Sequence, residues 1–395
     1  MASRNEKPWL SVDDQLVQLV DRGMAISDPA KARDYLERIG YYRLSGYWYD
    51  MRVRDVPFSP LDPKTGSKPK KVVIERPVLD AFTRFQDAVD LYVFDKKLRL
   101  LTMDALERIE IALRVDLSHC LGKVDRFAYM NPAIFHNTFA SDVSLDSGLT
   151  KHHEWLVKHA KLINRSREEF IKHNKQKYGL PLPIWVACEV WDFGCMSTLF
   201  AGLTTEMQDN IAAAYGVRDG RVFASWLRSL NYLRNVCAHH SRLWNRNVVD
   251  QPKLPAVGEV PALDGFQGNP NASLRARPFV LLCICQHLMT VINPSSGWGQ
   301  RLVSLLQNDA ERHGRRCFVG TASLVSGQRK TPKQLDAEAL CRRGPCCRKF
   351  TKSAGRYPKL AFEKPSVCYL GREKTTRPVW KTPNNSMTCV IGCYL

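Results

Sequence analysis

The chain has 395 residues, 44% of them apolar, 25% charged and 10% aromatic, with a formal net charge of +19. This is globular composition, long enough for one large or two ordinary domains, and it excludes a disordered chain, a collagen-like fibre and a small disulfide knot. The basic excess favours an anionic partner, nucleic acid or a membrane surface.

The excess is uneven. Residues 311–395 carry +13 of it and seven of the thirteen cysteines, so a moderately basic body over residues 1–310 is followed by a different tail. The start of the chain is polar and has no apolar core of a secretory signal. Residues 184–203 and 279–292 are apolar, but the first run contains Glu189 and Asp192, and the second is too short to span a bilayer. Both are expected as buried helices, with no membrane partner. The expected compartment is cytoplasmic, where thiols stay reduced.

Taken in order, the body reads as helix after helix. Ser11 is a candidate N-cap for a helix with Leu16, Leu19, Val20 and Met24 on one face. A second helix covers residues 30–39. An aromatic run follows, residues 40–49, in which Tyr41, Tyr42, Tyr47, Trp48 and Tyr49 are read first as core packing and second as stacking surfaces for bases. Residues 57–71 form a loop rich in Pro, Lys, Gly and Ser. Residues 78–121 keep a helical period, with an expected break near Phe94 and Asp95. Within that stretch Glu110 and Arg114, at i and i+4, read as an ordinary helix ion pair.

Residues 153–178 read as one polar helix dense in Lys, Arg and His, a solvated face or an RNA-tracking surface. Residues 184–202 read as one central apolar helix. Glu189 would be buried within it and would need a partner, an arginine or histidine of the motif described below. Helices over 205–215 and 221–240, a proline-marked connection, and helices over 276–292 and 297–307 complete the body. No alternating strands, glycine-rich phosphate loop or repeat is visible, so the predicted fold class is all-α. The tail has no sustained period and no paired Cys spacing of a zinc site. It is expected to be disordered or a frameshifted ending.

The densest polar cluster lies in residues 231–246: Arg234, Asn235, His239, His240, Arg242, Asn245 and Arg246. Arginine forks onto phosphate oxygens, and histidine exchanges a proton near neutral pH. RNA cleavage without a metal needs little more. The substrate's own 2′-hydroxyl attacks, a base takes its proton, an acid protonates the leaving 5′-oxygen, and a cation stabilises the phosphorane. No metal or other cofactor is expected. In a regular helix Arg234 and His239 lie roughly 140° apart around the axis. They can meet one phosphate only if the helix loosens or the site is shared across a two-fold axis.

The stretch Arg234-Asn235-Val236-Cys237-Ala238-His239 resembles the R-N-x-x-x-H form of the HEPN ribonuclease motif, R-x(4–6)-H. The longer string R-N-x-x-A-H-H-x-R-L-W-N is similar to the abortive-infection Abi family of the AbiD/AbiF type. The aromatic run 39–49, the helix 105–114 and the helix beginning Ile184-Trp185 agree with it. The resemblance implies a HEPN-like helical bundle with additional N-terminal helices, a homodimer with a composite site, and phage defence by RNA cleavage. It implies Arg234 as the group that stabilises the phosphorane and positions the phosphate, His239 as general acid or base, and Asn235 as holding the motif's geometry or contacting the phosphate. From the residues themselves, His240 reads as a support of the site or a helix cap, Glu189 as orienting His239 or making a structural pair, Arg242 and Arg246 as phosphate contacts or solvated charges, and Asn245 as an RNA contact. The alternative is a non-catalytic RNA-binding module of a defence or toxin–antitoxin system. A cognate antitoxin fits either reading but leaves no signal in the sequence.

Overall fold

A computed structural model describes residues 8–55, 74–79, 83–268 and 275–313. The described elements are helical apart from one small ribbon, as the sequence predicts. Helices α1 (Val12–Asp21), α2 (Pro29–Ile39) and α3 (Tyr41–Trp48) come first. Ser11 caps α1: its side chain accepts from the Asp14 amide while Asp14 reaches back to the Ser11 amide. Strands β1 (Arg52–Asp55) and β2 (Ile74–Leu79) pair antiparallel. This ribbon was not anticipated. The loop predicted over residues 57–71 and the tail beyond His313 lie outside the described residues.

The axis of the fold is α4 (Phe85–Val124), 40 residues and therefore about 60 Å long. Its buried Leu91, Leu98, Ala105, Ile109, Leu113, Leu117 and Leu121 recur at helical spacing. The break expected near Phe94 and Asp95 does not occur. Asp95 is fully buried, but Arg99 one turn later pairs with it, and its remaining acceptor sites are filled by other segments, so the charge does not interrupt the helix.

After the short α5 (Asn137–Ala140) the predicted polar helix is two: α6 (Lys151–Arg165) and α7 (Glu169–Tyr178). Ser166 adopts an extended conformation between them, and the Lys175 ammonium donates to the Ile163 carbonyl freed at the end of α6. The predicted helix over 184–202 is divided as well. It consists of α8 (Ile184–Ala187), a 3₁₀ turn at Cys188–Val190, and α9 (Phe193–Gly202). Asp192 starts α9 afresh as its N-cap, accepting from the Cys195 amide at 2.6 Å. Arg114 fills the gap, donating to the carbonyls of Cys188 at 3.0 Å and Trp191 at 3.1 Å.

Helices α10 (Thr205–Ala214), α11 (Gly220–Ala238), α12 (Pro261–Asp264), α13 (Pro278–Ile292) and α14 (Trp298–His313) complete the body. The last runs to His313, beyond the predicted boundary at 310. Helices α3, α8, α9, α10, α11, α13 and α14 all pack on α4. Among the described residues no helix is long and apolar enough to cross a membrane.

Candidate functional site

Helix α11 carries the polar motif. Asp219 caps its start, accepting from the Arg221 amide at 2.8 Å. Gly220 is required there, because a Cβ would stand 2.4 Å from the Gln208 Cβ and 2.6 Å from the Gln208 backbone carbon on α10. Val222, Phe223, Trp226, Leu227, Leu230, Leu233, Val236 and Cys237 are buried. That face fixes the helix, so Arg234, Asn235 and His239 emerge at set angles.

The helix stays regular through Ala238, and His239 is its C-cap. His240 then takes the left-handed conformation, φ 56°. Its amide donates to the Cys237 carbonyl at 3.1 Å, and the Ser241 amide donates to the Val236 carbonyl at 2.9 Å. This is the Schellman ending, with histidine where glycine is usual. The loosening needed to bring Arg234 and His239 together within one helix is therefore absent before His239.

The loop that follows is lashed to α3 and α4. The amides of Leu243 and Trp244 donate to the Asp95 carboxylate at 3.1 and 2.7 Å. Arg242 donates to the Gly46 carbonyl, and Arg43 donates to the His240 carbonyl at 2.8 Å. Arg246 donates to the Tyr232 hydroxyl at 2.7 Å and to the Arg242 carbonyl at 3.2 Å. Arg277 donates to the carbonyl of Asn245, itself left-handed at φ 50°. Arg242 and Arg246 thus spend some donors fastening the loop to α3 and α11.

Arg234 turns the other way, toward α4. Its Nε lies 4.0 Å from the Glu110 Oε2 and is buried without a hydrogen bond, while the side chain as a whole is 33% exposed. Glu110 also pairs with Arg114 at 3.3 Å, as its spacing predicts. Burial raises the Glu110 pKa, and the Arg114 and Arg234 charges oppose that shift. Arg234 and Arg114 line an open groove of about 560 Å³ with the carboxylates of Asp104, Glu107 and Glu110 and with Leu100, Met103 and Ile111, all but Arg234 from α4.

His239, His240 and Asn235 are exposed and do not line that groove. Among the described residues neither imidazole has a hydrogen-bond partner. Glu189 corrects an expectation. It is exposed on the 3₁₀ turn and makes no ion pair with the motif, because the chain breaks at Trp191 and turns that carboxylate outward. Glu110 takes the place foreseen for it. Within the aromatic run Tyr47 and Trp48 are core residues, and Tyr41 is hydrogen bonded to Arg22 and Gln18. Among the described residues no group of three or more His, Cys, Asp or Glu side chains is placed to hold a metal ion.

Sequence reasoning missed Asp95 and the Glu110–Arg234 approach. The first had a signal: an aspartate inside an apolar helical stripe with an arginine four residues on. The second had none, since helix-to-helix juxtaposition is not written in local spacing.

Residues 34–245, more than half of the chain, match the family model described as Abi-like protein. The chain therefore belongs to that family. No curated protein and no solved structure matches it.

Proposed function

We propose that this Abi-like protein is a phage-defence endoribonuclease of the HEPN type, acting as a homodimer. The observation that carries the reading is the position of Arg234. Its side chain is one-third exposed at an open groove, and its buried Nε has the Glu110 carboxylate as a counter-charge 4.0 Å away. A guanidinium so placed can fork onto a phosphate and stabilise the charge of a phosphorane. His239 supplies the proton transfer. Its ring is exposed and free to approach a substrate oxygen.

The two groups leave α11 in different directions, so the working site pairs Arg234 of one copy with His239 of another. The α4 stripe supports this arrangement. Leu100 and Ile111 are exposed apolar residues along the groove, suited to burial against a second copy. The attacking group is the neighbouring 2′-hydroxyl, so the products carry a 2′,3′-cyclic phosphate and a 5′-hydroxyl. Abortive infection would follow from loss of RNA in the infected cell.

The absence of His239 from the Arg234 groove favours one other reading, an RNA-binding module that does not cut. A single assay separates the two. Labelled RNA is incubated in EDTA with the wild type, Arg234→Ala and His239→Ala. Under the enzyme reading both variants lose about 10²-fold or more in rate. Binding by all three without cleavage supports the module. Equal cutting by all three removes both groups from the mechanism.

A further inference from the structure

The aromatic run before the β-ribbon is nearly consumed by the fold. Tyr47 and Trp48 are buried, and the Tyr41 hydroxyl is bonded to Arg22 and Gln18. Tyr49 is 38% exposed with the Arg52 guanidinium 4.8 Å from its ring centroid, and the most exposed ring of the run is Tyr42. It is 91% exposed, the second residue of α3, and nothing in the core accounts for it.

Its place on α3 is specific. The next residue, Arg43, donates to the carbonyl of His240, immediately after the motif histidine. One turn further on, the Gly46 carbonyl accepts from Arg242, and the Arg242 Cδ lies 4.0 Å from where a Gly46 Cβ would stand. Helix α3 is thus fastened at two points to the segment that ends α11. Tyr42 directly precedes Arg43, so it borders that seam, and Arg43, His239 and His240 are themselves exposed.

We infer that Tyr42 is a base-stacking platform for single-stranded RNA, holding a nucleobase next to the phosphate that the motif engages. An exposed aromatic ring beside a cluster of basic side chains is the arrangement by which proteins hold unpaired strands. The cations track the backbone, and the ring takes the face of a base with little regard to its identity. The apolar face of Tyr42 is otherwise left in water, and a stacked base would cover it. This inference rests on the reading of the site as RNA-binding. It adds that the strand is unpaired at that point, because a base inside a duplex offers no free face.

The test uses the full chain and a fluorescently labelled, unstructured oligoribonucleotide, with binding followed by anisotropy and cleavage by product release. Tyr42 is 91% exposed, so its replacement should leave folding intact, which the unfolding midpoint checks. Tyr42→Ala should weaken binding and raise KM about tenfold with kcat nearly unchanged, and Tyr42→Trp should restore both. An oligonucleotide with an abasic site scanned along its length should lose affinity at one position for the wild type. At that position Tyr42→Ala should bring no further loss.

Tyr42→Ala with wild-type affinity and KM would overturn the inference while leaving the Arg234 and His239 reading intact. A Tyr42→Ala protein that loses self-association and keeps its RNA affinity would also overturn it, by assigning the ring to a subunit contact. A wild type that binds no RNA would remove both this inference and the reading beneath it.

Discussion

Asp95 and Trp244 stand 149 residues apart in sequence and share a 2.7 Å hydrogen bond, from the Trp244 amide to the Asp95 Oδ1. The same carboxylate accepts the Leu243 amide, takes the Tyr47 hydroxyl at 2.6 Å on Oδ2, and pairs with Arg99. One buried group therefore joins the aromatic run, the axial helix and the loop behind the motif. Burial pushes the Asp95 carboxyl up from its ordinary range, and the Tyr47 hydroxyl, Arg99 and the two amides pull it back.

Removing it should be costly. Asp95→Ala leaves a buried guanidinium, a phenol and two amides without their acceptor, and a broken buried pair costs about 3–5 kcal/mol. Urea unfolding should show a loss in that range. Tyr47→Phe deletes the bond to Asp95 and the longer one from Arg99 at 3.4 Å, and should cost about 1.5–3 kcal/mol. If Asp95→Ala unfolded within 1 kcal/mol of the wild type, the carboxylate would not organise this region.

His240 holds φ 56° at the turn that ends α11. A side chain in that region costs about 1–2 kcal/mol relative to glycine, part of which glycine gives back through its more flexible unfolded chain. His240→Gly should therefore be neutral or stabilising, by up to about 1 kcal/mol. His240→Val should destabilise, since a branched Cβ fits the left-handed region worst. Thermal unfolding of the two variants tests this, and a destabilised glycine variant would mean that the imidazole itself supports the fold.

What the sequence disclosed, and what it did not, follows from the range of the interactions. The Ser11 cap, the Glu110–Arg114 pair and the motif helix were legible because each is settled within four residues. The division at Trp191 was not, because the donor that satisfies its freed carbonyls is Arg114, brought from α4 to Cys188 and Trp191. Glu189 was misplaced for the same reason: continuing the apolar period through residues 184–202 buried it. Asp95 was read as a breaker because its partners, Tyr47 and the 243–244 amides, are remote in the chain. For the candidate site, residue types and spacing singled out Arg234 and His239. Only the packing of α11 on α4 revealed that the first faces Glu110 while the second faces solvent.

That divergence makes the two-copy arrangement testable. Arg234→Ala and His239→Ala proteins should each be inactive alone. When they are mixed and allowed to exchange subunits, about half of the dimers become mixed, and each mixed dimer regains one intact site. The mixture should then recover about a quarter of wild-type cleavage. No recovery, with subunit exchange shown directly by differently tagged copies, would place both groups in one protomer.

The last prediction concerns acid. His159 stacks on Trp155, ring centroids 5.5 Å apart and planes 12° from parallel, and its Nδ1 accepts from the Trp191 indole at 2.9 Å. Burial lowers its pKa from 6.5 to about 4, and burial lowers those of His152 and His287 as well. Between these two values the unfolded chain holds the proton on His159 and the native protein does not, so stability rises with pH across that window. The contribution is complete above about pH 6.5 and disappears as pH falls toward 4, and linkage makes the loss from His159 roughly 2 kcal/mol at pH 5. Urea unfolding at pH 7.5 and pH 5 should show the drop in the wild type. His159→Phe keeps the stacked ring without the titrating nitrogen. It should be less stable at pH 7.5 yet show a shallower fall toward pH 5. A variant with the wild-type pH dependence would mean that His159 carries none of it.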